Sequence, residues 1–208
     1  MPRPRTHDLD ALMDAAETLA VESGAAAVTV RALSESTAVS NGAIYHAFGS
    51  RAGLVGRVWL RAALQFLAMQ REAVDAALGD GTQPGAATDA IVAAADTPAV
   101  FLLEHRVRGQ FLLTVSRREL LGSDDLPEDL AADLRQLDDT LTELFIALSQ
   151  AMWGRADKSA LAVVRDCVVE LPTALLLRGR RTPDRHVRQR LATAVRAVLT
   201  VPLPEDVN

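Results

Sequence analysis

The sequence predicts an all-α protein of about nine helices, on three observations. Apolar residues recur at spacings of three and four along most of the 208 residues. No stretch shows the strict alternation of a half-buried strand. Glycines and prolines cluster at the boundaries of the periodic segments rather than inside them. With 49% hydrophobic and 24% charged residues, the chain has the apolar surface to build a packed core and does not have the composition of a disordered polymer.

The elements follow in order. Leu9, Leu12, Met13, Ala16, Leu19 and Ala20 make one apolar face of a helix over 8–22, and Gly24 ends it. Thr29 caps a short helix running to about Glu35, and Ser40 caps another running to about His46. A long helix starts near Ser50 and carries Leu54, Val58, Leu64, Phe66 and Leu67 towards Leu78, where GDGTQPG breaks the pattern. Helices are expected over 86–96 and, with Thr97 as cap and Pro98 in the first turn, over 98–120 with a break near Gly109. GSDDLP separates these from a helix over 127–153, whose acidic first turn suits the helix dipole. The last two helices span 158–178 and 184–199, the first bent by Pro172, and VPLPEDVN forms a tail.

The only cysteine, Cys167, cannot form an internal disulfide, and His7, His46, His105 and His186 lack the spacing of a zinc site. No metal or cofactor is expected. The longest uninterrupted apolar runs, AIVAAA and PAVFLL, fall far short of a membrane span, and MPRPRTHDLD has no apolar stretch of a secretory signal, so a cytoplasmic protein without a membrane partner is expected. A net charge of −5 argues against indiscriminate coating of nucleic acid, which needs many cation–phosphate contacts. Any DNA binding must therefore be local and directed by shape. Catalysis is not indicated: the chain has no Gly-rich phosphate loop, no serine elbow and no Cys/His pair in supporting spacing.

The informative segment is TVRALSESTAVSNGAIYHAFGSRAGLV, residues 29–55. Val30, Leu33, Val39, Ile44 and Phe48 form an apolar seam for two short helices crossing at a tight turn, the spacing of a helix-turn-helix. Asn41, Gly42 and Ala43 give the second helix a small, partly polar tip, with Tyr45 and His46 one turn further on. These residues resemble the signature of the TetR family of bacterial transcriptional regulators: Thr29, Val30, Leu33, Val39, Ser40, Gly42, Ile44, Tyr45, Phe48 and the basic Arg51. Two positions depart from it, with Ala38 at the turn where the family often has Gly and Arg51 where Lys is usual. Beyond this segment the match is one of layout.

The resemblance implies an N-terminal three-helix DNA-binding domain over 1–55, its motif about 29–48, and a larger ligand-binding and dimerisation domain over 56–208. It implies that Asn41 and Ala43 face base edges while Thr29, Ser40, Tyr45, His46 and Arg51 approach phosphates, the former giving sequence information and the latter register. Gly42 costs its helix about 1 kcal/mol relative to Ala, which fits a close approach to the duplex. Arg3 and Arg5 are candidate arm residues tracking DNA. The implied partners are a double-stranded operator with inverted-repeat symmetry, a second copy of the chain and a small-molecule effector.

For the second copy, Leu161, Val164, Val168, Leu171 and Leu175, followed by Val187, Leu191, Val195 and Val198, form two stripes suited to helix pairing. For the effector, Phe66, Met69, Phe101, Phe111, Phe145 and Met152 offer large apolar surfaces, with His105, Gln110, Thr114 and Glu170 as polar anchors. The function expected is sequence-specific transcriptional regulation, most simply repression relieved by an effector. The alternative is a helical ligand-binding or interaction module without DNA function.

Overall fold

A computed structural model describes residues 6–81, 83–123, 125–177 and 183–203. Among these residues the chain forms ten α-helices and no strand. They are α1 (Thr6–Ser23), α2 (Val30–Thr37), α3 (Asn41–Phe48), α4 (Arg51–Leu78), α5 (Ala86–Glu104), α6 (Arg106–Thr114), α7 (Arg117–Leu121), α8 (Glu128–Trp153), α9 (Lys158–Arg165) and α10 (Arg185–Leu199). A 3-10 turn, Ala25–Ala27, follows α1, and two π turns, Asp166–Glu170 and Thr173–Leu177, continue α9.

The capping chemistry explains most boundaries. Gly24 leaves α1 at φ 88°, a conformation that penalises a side chain. Thr29 accepts a hydrogen bond from the Ala32 N–H at 3.1 Å, Ser40 from Ala43 at 3.3 Å, Ser116 from Glu119 at 3.4 Å and Asp184 from Val187 at 2.8 Å. Asp157 accepts from both Ser159 and Ala160, at 3.0 and 3.1 Å, and starts α9.

Two expected boundaries are corrected. Thr97 and Pro98 do not begin a helix; both lie inside α5, which runs unbroken to Glu104. Proline there deprives the Ala94 carbonyl of its usual N–H donor, and the Gln70 side chain on α4 replaces it, Nε2 donating to Ala94 O at 2.9 Å. Thr97 is itself buried and its hydroxyl donates to Ala93 O at 2.9 Å. The break falls at His105 rather than Gly109, and a second one at Val115–Ser116 separates α6 from α7, which accounts for the extra helix. Near Pro172 the strain is taken up by the π turns on either side. Leu171 N–H already reaches back five residues to Asp166 O, a register that serves carbonyls an α-helix through proline would leave open.

The chain divides into two compact units. The first takes in residues up to Leu64 together with His105–Leu137. The division thus adds 105–137 to the N-terminal part, beyond the boundary at residue 55 expected from sequence. In this unit α1 packs on α2, α6 and the 3-10 turn, and α2 packs on α3. Leu12, Ala16, Leu33, Ile44, Phe48, Leu54, Val58 and Phe111 fill its core. Glu17 on α1 is 3% exposed and is held by Arg61 of α4 (2.7 Å) and Arg108 of α6 (2.9 Å). Gly53 and Gly56 let the start of α8 approach α4: a Cβ on Gly56 would lie 2.8 Å from Leu130 Cδ2.

The second unit comprises Gln65–Glu104 and the residues from Asp138 on. Here α5 packs against α10 and the first π turn. Its core gathers Val74, Ile91, Ala94, Ala95, Phe145, Leu148, Val164, Cys167, Leu191 and Val195. Although α5 reaches a mean hydropathy of 1.4 over an 18-residue window, Ala90, Ile91, Ala94, Ala95 and Ala99 spend that apolar character inside this core. Burial pushes the Cys167 thiol up to about 12, with the nearby Asp166 charge acting in the same direction.

Candidate nucleic-acid interface

The tip of α3 is built by the sequence in three steps. Thr29 and Ser40 cap α2 and α3. Val30, Leu33, Ile44 and Phe48 turn inward and are buried, which orients the opposite face of α3 outward. Ala38 joins the two helices at φ 57°, the left-handed conformation for which the family often uses glycine. An alanine therefore makes the same turn, at a cost of roughly 1 kcal/mol.

What faces outward is the expected set. Thr29, Ser40, Asn41, Gly42, Tyr45 and His46 are exposed, and Ala43 is half-buried. Tyr45, the one tyrosine of the chain, is 56% exposed, although its ring has the area to fill a core. Gly42 meets nothing: a Cβ placed there would find no atom within 4 Å, so the fold itself does not require glycine. Gly49 ends α3 at φ 74°, its N–H bonded to Tyr45 O at 2.8 Å.

The structure gives Arg51 a different role from the phosphate contact expected of it. Its Nε donates to Val28 O at 2.7 Å and its Nη2 to Ala25 O at 2.5 Å, so the guanidinium closes the carbonyls of the 3-10 turn that leads into α2. The fork geometry of arginine makes this double contact, which a lysine ammonium would not reproduce. Arg31 lies on the exposed side of α2 and is bonded to Glu35 at 2.9 Å, a fully solvated pair that exchanges readily. Cationic help at this face thus comes from Arg31, His46 and the free N–H groups at the start of α3. Arg3 and Arg5 lie outside the described residues.

The other expected sites are placed less uniformly. Phe66 and Phe101 meet edge to face, ring centres 5.6 Å apart, and Phe145 is buried in the core of the second unit, with Met69 half-buried. Phe111 is not with them; it is wholly buried in the first unit's core, and His105 belongs to that unit too. Glu170 is exposed on the first π turn. An open groove of about 560 Å³ between α5 and α10 is lined by Val92, Ala93, Asp96, Arg188, Gln189 and Ala192, none of them an expected pocket residue. Asp96 there is gripped by Arg188 through two bonds, at 2.9 and 2.5 Å.

The two C-terminal stripes are also corrected. Val164, Val168, Leu191 and Val195 are buried within their own chain, packed into the second unit's core. Helical spacing marks a buried face and does not say which molecule buries it. Leu161, Leu171, Val187 and Val198 are half-buried, and Leu175 is 41% exposed.

With this geometry in view, comparison with known proteins is informative. Residues 12–58, from α1 through the first turns of α4, match the family model described as bacterial regulatory proteins, tetR family. The chain carries the N-terminal domain of the TetR family. Its fold is that of TetR-family regulators along nearly the whole length. A TetR-family bacterial regulatory protein from Rhodococcus RHA1 superposes with a TM-score of 0.69 at 16% identity, covering 97% of this chain and 100% of the other. The TetR family transcriptional regulator PfmR from Thermus thermophilus gives 0.62 at 19% identity, covering 90% and 96%. A structure described as the superantigen PfiT gives 0.69 at 16% identity, covering 95% and 98%. No curated protein matches the chain in sequence. At such identities the structural likeness speaks for the TetR fold, and the match over 12–58 speaks for the domain.

Proposed function

We propose that the protein is a sequence-specific DNA-binding transcriptional regulator, acting as a repressor that a small molecule releases. The observation that carries this reading is the tip of α3, where an exposed Tyr45 and a Gly42 without internal contacts sit together on a firmly capped helix. Neither residue serves the packing of its own chain, and both serve a helix that must lie close against a flat, hydrogen-bonding partner. A major groove is such a partner. Asn41 and Ala43 then read base edges, while Ser40, Thr29, Tyr45 and His46 hold the backbone. Arg51 supports them indirectly by fixing the entry to α2.

We infer a homodimer on an inverted repeat, its two tips about 34 Å apart in successive major grooves. The pairing surface is the outer side of α9, its π turns and α10, where Leu175 and the half-buried Leu161, Leu171, Val187 and Val198 remain available. The effector acts in the second unit, into which α4 continues from the recognition domain. A ligand preferring the released conformation by about 1–3 kcal/mol weakens operator binding by roughly 5–150-fold.

A second reading, a helical ligand-binding or interaction module without DNA function, draws on the net charge of −5 and on Arg31 and Arg51 both being engaged within the chain. Footprinting on the DNA around the protein's own coding sequence, across a salt series, separates the two. Protection of an inverted repeat that weakens with salt supports the regulator, and no protected duplex at low salt sinks it.

A further inference from the structure

Two polar atoms in the core of the second unit are buried without a partner: Gln70 Oε1 and Ser149 Oγ. Their residues are 2% and 0% exposed. Each is the more telling for what surrounds it. The Gln70 amide cannot turn over, because its Nε2 is committed to Ala94 O at 2.9 Å, the carbonyl that Pro98 leaves without a donor. The oxygen is therefore the end left facing the interior. Ser149 behaves unlike the threonines of these helices. Thr97, Thr142 and Thr193 each donate to the carbonyl four residues back, at 2.9, 2.7 and 3.0 Å, and the Ser149 hydroxyl makes no such bond. A core selected for packing alone would hold Met and Ala at these positions, since an unpaired buried polar group is destabilising.

The neighbouring core restricts what such atoms can receive. Val74, Ile91, Ala94, Phe145 and Leu148 are apolar. Among the described residues of this unit, the buried polar side chains are Gln70, Thr97 and Ser149, none of them charged. A charged guest would lie there without a counter-charge, whereas a neutral donor would complete Gln70 Oε1.

We propose that the core between α4, α5 and α8 binds an uncharged, largely apolar small molecule bearing a hydroxyl or amide N–H, which donates to Gln70 Oε1 and takes Ser149 Oγ as its second polar contact. This site rests on the regulator reading, as the place where the effector acts, and gives that effector a chemical class.

The test is a calorimetric titration of the full-length protein with three probes of similar size: cyclohexanol, methylcyclohexane and cyclohexanecarboxylate. The expected result is saturable binding of cyclohexanol, about tenfold or more tighter than either other probe. Ser149→Ala preserves packing, and Gln70→Met removes the acceptor. Each variant is expected to weaken cyclohexanol about five- to tenfold while leaving methylcyclohexane unchanged. Equal affinity for all three probes, preference for the carboxylate, no saturable cyclohexanol binding, or indifference of cyclohexanol to both variants would overturn the site, a lone buried water then accounting for the two atoms. Footprinting run in parallel keeps the two ideas apart. DNA protection without cyclohexanol binding removes this site alone, and cyclohexanol binding without DNA protection removes the regulator reading alone.

Discussion

The two units bury polar groups in opposite ways. In the first, the carboxylate of Glu17 is satisfied from two sides, by Arg61 and Arg108, while Asp14 accepts from the same two arginines at 2.6 and 3.1 Å. The network ties α1 to α4 and α6 and leaves the Glu17 carboxylate fully engaged. In the second, Gln70 and Ser149 keep unpaired oxygens in an otherwise apolar interior. The contrast teaches that burial of a polar group is not one kind of evidence. A saturated network specifies how helices sit against one another, and an unsaturated one leaves capacity for something else.

The comparison breaks most visibly at Glu17. Glu17→Ala leaves two part-buried guanidinium groups short of a partner, and a loss of about 2–4 kcal/mol is expected by urea denaturation, discounted because both arginines keep some solvent and Asp14. Stability within about 0.5 kcal/mol of wild type would show the network to be a solvated surface feature. Next in size is the turn of the helix-turn-helix. Ala38→Gly relieves the left-handed alanine but adds entropy to the unfolded chain, so a net gain of roughly 0.5–1 kcal/mol is expected, and a loss would mean that the turn is not strained. Ser149→Ala sharpens the contrast with Glu17. Stability is expected to stay within about 0.5 kcal/mol or to rise slightly, because no hydrogen bond is lost.

Smaller effects come from titration. Asp157 is held down to about 2, first by its bond to Arg155 and then by the N–H of Ala160. A carboxylate depressed on folding stabilises above its ordinary value and loses that contribution as pH falls towards about 2. Asp157→Asn, which retains a capping oxygen, should therefore narrow its stability difference from wild type as pH falls through that window. A difference that does not change with pH would contradict the pairing with Arg155. Cys167, its thiol pushed up to about 12, is expected to resist alkylation at pH 8 until the protein unfolds. Rapid labelling of the native protein would contradict its burial.

Local chemistry was legible in the sequence, and partnership across the chain was not. Gly24, Thr29 and Ser40 announce the first three helices because capping is decided within four residues. The recognition face is readable for the same reason: Asn41, Gly42 and Tyr45 are exposed by the short-range geometry of α3 and by the inward pull of Ile44 and Phe48. Pro98 reads as a helix start until Gln70, on another helix, supplies its missing donor. Arg51 reads as a phosphate contact until the fold brings Val28 O and Ala25 O within its reach. The stripe through Val164, Val168, Leu191 and Val195 is a buried stripe, as its spacing states, but the covering surface is its own α5 and core rather than a second copy. The extra break at His105 and the π turns around Pro172 carry no periodic signal, since each answers to packing at longer range.

The central claim is that α3 presents a face shaped by DNA rather than by the fold, and Gly42→Leu tests it most directly. Because a side chain at that position meets nothing within the chain, the variant is expected to unfold at the wild-type urea concentration or above it, glycine being poor in a helix. Its affinity for the protected inverted repeat, measured by titration at fixed salt, is expected to fall by about 100-fold or more, the loss of close approach costing several kcal/mol of base and phosphate contacts together. A folded Gly42→Leu protein that binds the operator as tightly as wild type would contradict the account.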